Sequence, residues 1–268
     1  MLKIGVVGIG TIGSEICRAI DTGVVPARLV GITDIDPVRA RTLAESLKQT
    51  VPVMGLADLI GASALVVEAV SKAAAPVIIR ETLASSKDIM VMSVGGLLDC
   101  LDEALYLATQ RGGRIYVPSG AIAGLDAIKG AMAGRVSKVT LTTRKPPRGL
   151  EGAPHVIEKK VDLRAMREPT TIFSGSAAEA VPAFPANVNV AAALSLAGIG
   201  PDQTQVRIIA DPTSDKNIHE IEAEGDFGKL FVRMENVPSP NNPKTSYMAA
   251  LSAIGQLRRI TSSLIVGT

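Results

Sequence analysis

The chain has 268 residues, enough for one large or two small domains whose core needs no disulfide or structural metal. With 47% hydrophobic and 20% charged residues it reads as a folded chain, and 28 basic against 26 acidic side chains, a formal charge of +2, argue against an electrostatic nucleic-acid binder. Two cysteines, Cys17 and Cys100, are too few for a disulfide scaffold and point to a reducing compartment. The apolar run from Ile4 to Ile12 is interrupted by glycines and lacks a small-residue cleavage pattern, and no stretch approaches the ~20 apolar residues of a membrane span. A cytoplasmic protein without membrane or nucleic-acid partners is expected.

In chain order, Leu2 to Val7 is a β-branched apolar run typical of a strand buried on both faces, and Thr11 to Ile20 shifts to helical spacing. Leu29 to Thr33 predicts a second strand and Pro37 to Lys48 a helix, with Asp36 as N-cap and Pro37 in the first helical position. Ala64 to Val67, Ile89 to Ser93 and Arg114 to Val117 continue the strands, with helical stretches between them and a helix over Gly124 to Ala133. This alternation predicts a doubly wound, mostly parallel sheet of Rossmann type.

Beyond about Val136 the texture changes. Val136 to Thr143 is strand-like and 145–149 a Pro/Gly loop, while 150–185 carry no clear period. A helix over Asn187 to Leu196 precedes three strands, Gln205 to Ala210, Ile218 to Ala223 and Lys229 to Glu235, which predict an antiparallel layer, and a helix runs from about Thr245 to Ser262. The fold class expected is α/β with a second α+β substrate and dimerisation domain. The dinucleotide-binding domain spans 1–120 and the catalytic domain 121–240, with the C-terminal helix of 241–268 folding back on the first.

Gly8-Ile9-Gly10-Thr11-Ile12-Gly13 matches G-x-G-x-x-G between a strand and a helix. Gly8 suits the tight turn, Gly10 the approach of a pyrophosphate, and Gly13 close helix–strand packing, while the helix N-terminus attracts phosphate. Asp34, 21 residues after Gly13, is placed to hold the adenosine ribose hydroxyls, which favours NAD; the competing role is a loop-opening aspartate. Arg39 and Arg41 would suit a 2′-phosphate, so the cofactor expected is NAD or NADP. At the carboxyl ends of later strands lie Glu68 to Ser71, Ser93 to Gly96 and the small-residue run Pro118 to Gly124, where a nicotinamide ring would have room.

His155, beside Pro154, reads as a surface residue; His219 opens a strand and is the candidate base titrating near neutrality. Asn187 is a candidate N-cap and substrate contact, and Asn189, in the first turn, would offer its amide to a ligand carboxamide or carboxylate. Arg144, Lys145, Arg148 and Lys216 flank strand ends and could bind an acidic substrate, Lys216 being the one singled out. Cys17 and Cys100 fall in apolar helical patterns, and no metal-ligand spacing is present, so no metal site is expected.

Four segments together resemble the L-aspartate dehydrogenase family: Gly5 to Gly13, Pro118 to Asp126, Phe184 to Ala191 and Asn217 to Ile221. The first is generic to dinucleotide binders; the other three, in this order, are more specific. The resemblance implies NAD-contact positions at Ala123 and Asn189 and an active-site histidine at His219. It also implies a first domain that binds NAD or NADP, and a second that holds the amino acid above the nicotinamide. L-aspartate would be oxidised to iminoaspartate, which hydrolyses to oxaloacetate and ammonia and feeds pyridine-nucleotide synthesis, in a homodimer. Two readings compete: another two-domain reductase of the homoserine dehydrogenase or dihydrodipicolinate reductase type, and a non-catalytic NAD(H)-sensing module. The dipicolinate reading would want a histidine-rich loop, which two histidines cannot supply.

Overall fold

The computed structural model describes residues 1–185, 189–239 and 242–267, the side chains of 242–244 excepted. The chain divides into two units, one of residues 1–118 and 250–266, the other of residues 119–249 with the last two positions. The first unit runs β1 (Leu2–Val7), α1 (Thr11–Asp21), β2 (Ala27–Thr33), α2 (Pro37–Ser46), α3 (Leu56–Ala62), β3 (Leu65–Glu68), α4 (Ala75–Ala84), β4 (Asp88–Val91), α5 (Val94–Leu98), α6 (Leu101–Arg111) and β5 (Ile115–Tyr116). Its strands form one sheet in the order β2-β1-β3-β4-β5, and every pairing is parallel. The order reverses at β1, so the crevice beside the carboxyl ends of β1 and β3 is the place where such sheets take a ligand.

Burial on both faces explains the continuous apolar strands. Ile4, Val6, Ile32, Leu65 and Val67 are packed with Ile16, Cys17 and Ile20 of α1. Asp36 caps α2 as expected, accepting hydrogen bonds from Val38 N and Arg39 N. Cys17 and Cys100 are both buried as free thiols, and burial pushes Cys17 up to about 12.

The second unit runs α7 (Leu125–Ala131), β6 (Val136–Lys145), α8 (Pro154–Glu158), β7 (Thr170–Ser176), α9 (Ala177–Ala183), α10 (Asn189–Ala197), β8 (Gln205–Ala210), β9 (Asn217–Gly225), β10 (Gly228–Asn236), β11 (Pro238–Ser239) and β12 (Asn242–Ser246), followed by α11 (Tyr247–Thr261), most of which belongs to the first unit. Ala253 and Leu257 of α11 sit in the same core as Ile4 and Ile16. The second sheet has the order β10-β9-β6-β8-β7. It is mixed, not an antiparallel layer of three successive strands. β6 inserts between β8 and β9, pairing parallel with the first and antiparallel with the second, because the helical segment α10 lets the chain cross over.

The segment 150–185 has its own structure. Ser176 caps α9 in a reciprocal capping box with Glu179. His155 is not a free surface residue: its ring packs on Phe173 and Phe184, with centroids 5.4 and 5.3 Å away, and its Nε2 lies 3.0 Å from Ile172 O.

Candidate functional site

In the first unit the glycine turn follows β1 directly. Gly8 has φ +91°, and a Cβ there would lie 2.4 Å from Ala69 O; a Cβ on Gly13 would lie 1.9 Å from Gly8 O, so helix and turn close only on glycine. A Cβ on Gly10 meets nothing within 4 Å, which leaves open space in front of the backbone where a pyrophosphate would lie. Gly10 is the N-cap of α1 and no side chain caps that end, so Thr11, Ile12 and Gly13 offer first-turn N–H groups to an anion. These residues fit a dinucleotide.

Asp34 directly follows β2, with its carboxylate turned to that turn. Its Oδ2 accepts from Ile9 N at 2.5 Å and its Oδ1 from Asp36 N at 2.8 Å, and Arg39 stands 3.7 Å from Oδ1. Glu68, which sequence reasoning placed at a strand end without a role, is fully buried at the end of β3. Its two oxygens accept from Val70 N (2.8 Å) and Ser93 N (3.0 Å), while Ser93 Oγ donates to Val70 O (2.7 Å). Burial pushes the Glu68 carboxyl up, and the hydrogen bonds from Ser93 and Val70 oppose that. The loops after β3 and β4 are thus tied together beside Gly8.

In the second unit, His219 lies on β9 and is 2% exposed. It pairs across the ladder with Thr143 of β6 and Met234 of β10, and its Nδ1 is 3.0 Å from Thr143 Oγ1. Strand alternation puts Thr143, Lys145, Asn217 and His219 on one face, all buried. Burial first, and the Lys145 charge second, lower His219 to about 3; burial lowers Lys145 to about 8. The expectation of a base titrating near neutrality is therefore corrected: in this state the imidazole is neutral throughout the physiological range.

The same end of the sheet holds the 119–124 loop. Asn236 Nδ2 donates to Ala121 O at 2.9 Å, and Asn236 lies opposite Asn217, two residues before His219. Gly120 lies against Val190, next to Asn189, and Gly124 against Val232 of β10, so the 119–124 loop that holds Ala123 touches both the start of α10 and the His219 sheet. Asn187 lies outside the described residues. Lys216 is not brought to His219: its Nζ pairs with Glu235 Oε2 at 3.1 Å on the opposite face, in a cleft of about 480 Å³ that also contains Arg144, Asp211 and Arg233. Arg144 there holds Asp211 at 3.2 Å. Thr143 and Asn236 went unnoticed in the sequence because only the strand register brings them to the histidine and the loop.

The parallel sheet, its glycine turn and the carboxylate after β2 define a dinucleotide-binding protein of the Rossmann class, with a second, α+β unit. The family described as "Aspartate dehydrogenase, C-terminal" matches residues 126–260, and "Homoserine dehydrogenase, NAD binding domain" matches residues 8–118. The chain is 51% identical over 271 positions to the L-aspartate dehydrogenase of Methanosarcina barkeri, with both chains fully covered. It is 42% identical to that of Bradyrhizobium diazoefficiens, covering all of this chain and 94% of the other. The chain belongs to the L-aspartate dehydrogenase family. Its fold is shared with the crystal structure of aspartate dehydrogenase from Thermotoga maritima, with a TM-score of 0.75, 24% identity and full coverage of both chains. Among the described residues no helix is long and apolar enough to cross a membrane.

Proposed function

We propose that this protein oxidises L-aspartate to iminoaspartate with NAD or NADP, the imine then hydrolysing to oxaloacetate and ammonia. The observation that carries this reading is a buried His219, ordered by Thr143, in a chain half-identical over its whole length to named L-aspartate dehydrogenases. When bound, the nicotinamide supplies the hydride acceptor for the substrate Cα–H. Gly8, Gly10 and Gly13 with the N–H groups of Thr11 and Ile12 would hold the pyrophosphate, Asp34 the adenosine ribose, and Ala123 and Asn189 the nicotinamide end. Asp34 beside the turn supports NAD as the preferred form, since a carboxylate repels a 2′-phosphate, while Arg39 nearby supports residual use of NADP.

His219 would act as proton acceptor. With Nδ1–H donating to Thr143 Oγ1, Nε2 keeps its lone pair for a proton of the substrate amine, or of the water that attacks the imine. The product would feed pyridine-nucleotide synthesis, and the working form would be a cytoplasmic homodimer, checked by sedimentation at a mass of two chains. The test of function is reductive amination of oxaloacetate by ammonia, following NADH and NADPH in parallel. Ammonia-dependent oxidation, faster with NADH, is the expected result, and His219→Ala should cut kcat about 10²- to 10⁴-fold. Oxidation without ammonia would instead indicate a hydroxy-acid reductase, and near-wild-type turnover of His219→Ala across pH would remove the histidine from the mechanism.

A further inference from the structure

We infer that the open edge of β10 is the surface on which two copies of this chain meet, their β10 strands pairing antiparallel about a two-fold axis at Val232. The two sheets would then be continuous. This rests on the reading of the working form as a homodimer and names the surface that would make it.

The edge of a sheet carries unpaired N–H and C=O groups, and folds ordinarily blunt it. In the two five-stranded sheets the other edges are blunted. β5 is two residues long, and β7 is interrupted by a register shift between Thr171 and Phe173. β2 is partnered by the segment before α3, with Ile32 N donating to Pro52 O and Met54 N to Ile32 O. β10 differs from all three. It is nine residues long, contains no proline, and keeps one register with β9 from Gly228 to Asn236. β9 is its one neighbour in the sheet.

The hairpin decides which groups of β10 face the edge. Gly225 and Gly228 close a two-residue turn and exchange hydrogen bonds, so the bonds to β9 fall on the even-numbered residues of β10. The N–H and C=O groups of Lys229, Phe231, Arg233 and Glu235 therefore point outward. Among the described residues none of them makes a backbone hydrogen bond outside the ladder. Their side chains lie on the exposed outer face, Phe231 at 57% exposure. On the inner face Leu230, Val232 and Met234 are only partly buried, apolar side chains at the rim of the core.

This edge complements itself in one register. Centred on Val232, a two-fold antiparallel pair sets Lys229 opposite Glu235 and Phe231 opposite Arg233, each pair exchanging its outward N–H and C=O groups. On the inner face Leu230 meets Met234, and the two Val232 side chains meet each other. Opposite charges across the strands attract, a guanidinium beside an aromatic ring adds a cation–π contact, and the apolar side chains cover one another. Sliding one strand by two residues sets Lys229 opposite Arg233; sliding it the other way sets Arg233 opposite its own copy. Both bring like charges together. Charges that elsewhere keep an edge strand single here select the partner and the register. Within the chain Arg233 is flanked by Glu220 and Glu235, Lys229 by Glu222 and Glu224, and Glu235 by Lys216. These are surface pairs that water screens, and each charge can meet a second partner.

Sedimentation equilibrium of the full-length protein tests this, and wild type should dimerise. Lys229→Glu sets Glu against Glu on both sides of the axis, and Glu235→Lys sets Lys against Lys. Each variant alone should raise the dimer Kd about 10-fold. An equimolar mixture of the two should recover a dimer with a Kd within about threefold of wild type, because every mixed pair joins opposite charges. Phe231→Pro deletes one outward N–H in each copy without touching the β9 ladder, and should raise Kd about 100-fold with native far-UV circular dichroism. Should that variant misfold, the mixing experiment decides. Wild type sedimenting as a single chain would overturn the interface and the homodimer together. A dimer that the charge variants leave intact would overturn the interface alone, and single variants that weaken it without recovery on mixing would overturn the register. Ammonia-dependent oxidation of NADH with oxaloacetate, assayed on the same samples, reports on the aspartate reading separately.

Discussion

Thr143 and His219 are 76 positions apart in the chain and 3.0 Å apart in the fold. Because the imidazole is buried and neutral, its usefulness depends on which nitrogen keeps the lone pair, and the Thr143 hydroxyl at Nδ1 accepts in the tautomer that leaves Nε2 free. Thr143→Val is nearly isosteric and removes only that partner. We expect kcat to fall roughly 10-fold with KM for aspartate little changed, and Thr143→Ser to restore most of the rate. A Thr143→Val enzyme with wild-type kcat and pH profile would show that the tautomer is set by something else. At this scale the sequence was informative about residue type and silent about neighbours. His219 stood out in a strand-opening segment, but Thr143 looked like any strand threonine, and Lys145 could not be separated from Arg144 and Lys216. Alternation on β6 and β9 sorts the three, and that requires the register.

Between elements, the Glu68 carboxyl group ties two loops together. It joins the loops after β3 and β4 through Val70 N and Ser93 N, and those loops wall the Gly8 turn. Glu68→Ala would strand two N–H groups and loosen the wall, so we expect NADH affinity to fall about 10-fold and stability to drop by about 1–3 kcal/mol. Fluorescence titration and a thermal melt read the two effects, and Glu68→Gln, which keeps one acceptor, should be milder in both. Loss of stability with unaltered NADH affinity would confine Glu68 to packing. The parallel strands were legible because burial on both faces leaves unbroken β-branched runs. The second sheet was harder. All of its strands but β7 were placed within a few residues, but their order depends on β6 returning to lie between β8 and β9, a pairing across some 65 to 90 positions that no local pattern encodes. The 150–185 segment hid its elements because α8 and α9 are a turn or two long and β7 is a half-exposed edge strand, so neither period is sustained.

For the whole molecule, the buried Lys145 and His219 make stability depend on pH. His219 has its ordinary value near 6.5 when unfolded and about 3 when folded. Its contribution is complete above pH 6.5 and is lost as pH falls toward 3, because the unfolded chain takes up a proton that the folded chain refuses. Lys145 ordinarily titrates near 10.5 and does so near 8 in the fold, so its penalty is absent above pH 10.5 and fully present below 8. A shift of that size corresponds to at most about 3 kcal/mol. Lys145→Met should therefore melt at a higher temperature than wild type at pH 7, with the advantage shrinking as pH rises past 8. His219→Gln should gain on wild type only below pH 6.5, since it removes the group whose protonation drives unfolding. Melting curves of the three proteins from pH 4 to about 10 would check both slopes, against the 1.4 kcal/mol carried by each tenfold change in an equilibrium constant. A Lys145→Met protein that is more stable at pH 7 would show that burying this charge costs the fold stability. One that is less stable at pH 7 would mean that the ammonium already has enough compensation inside the fold, and would make Lys145 a structural residue.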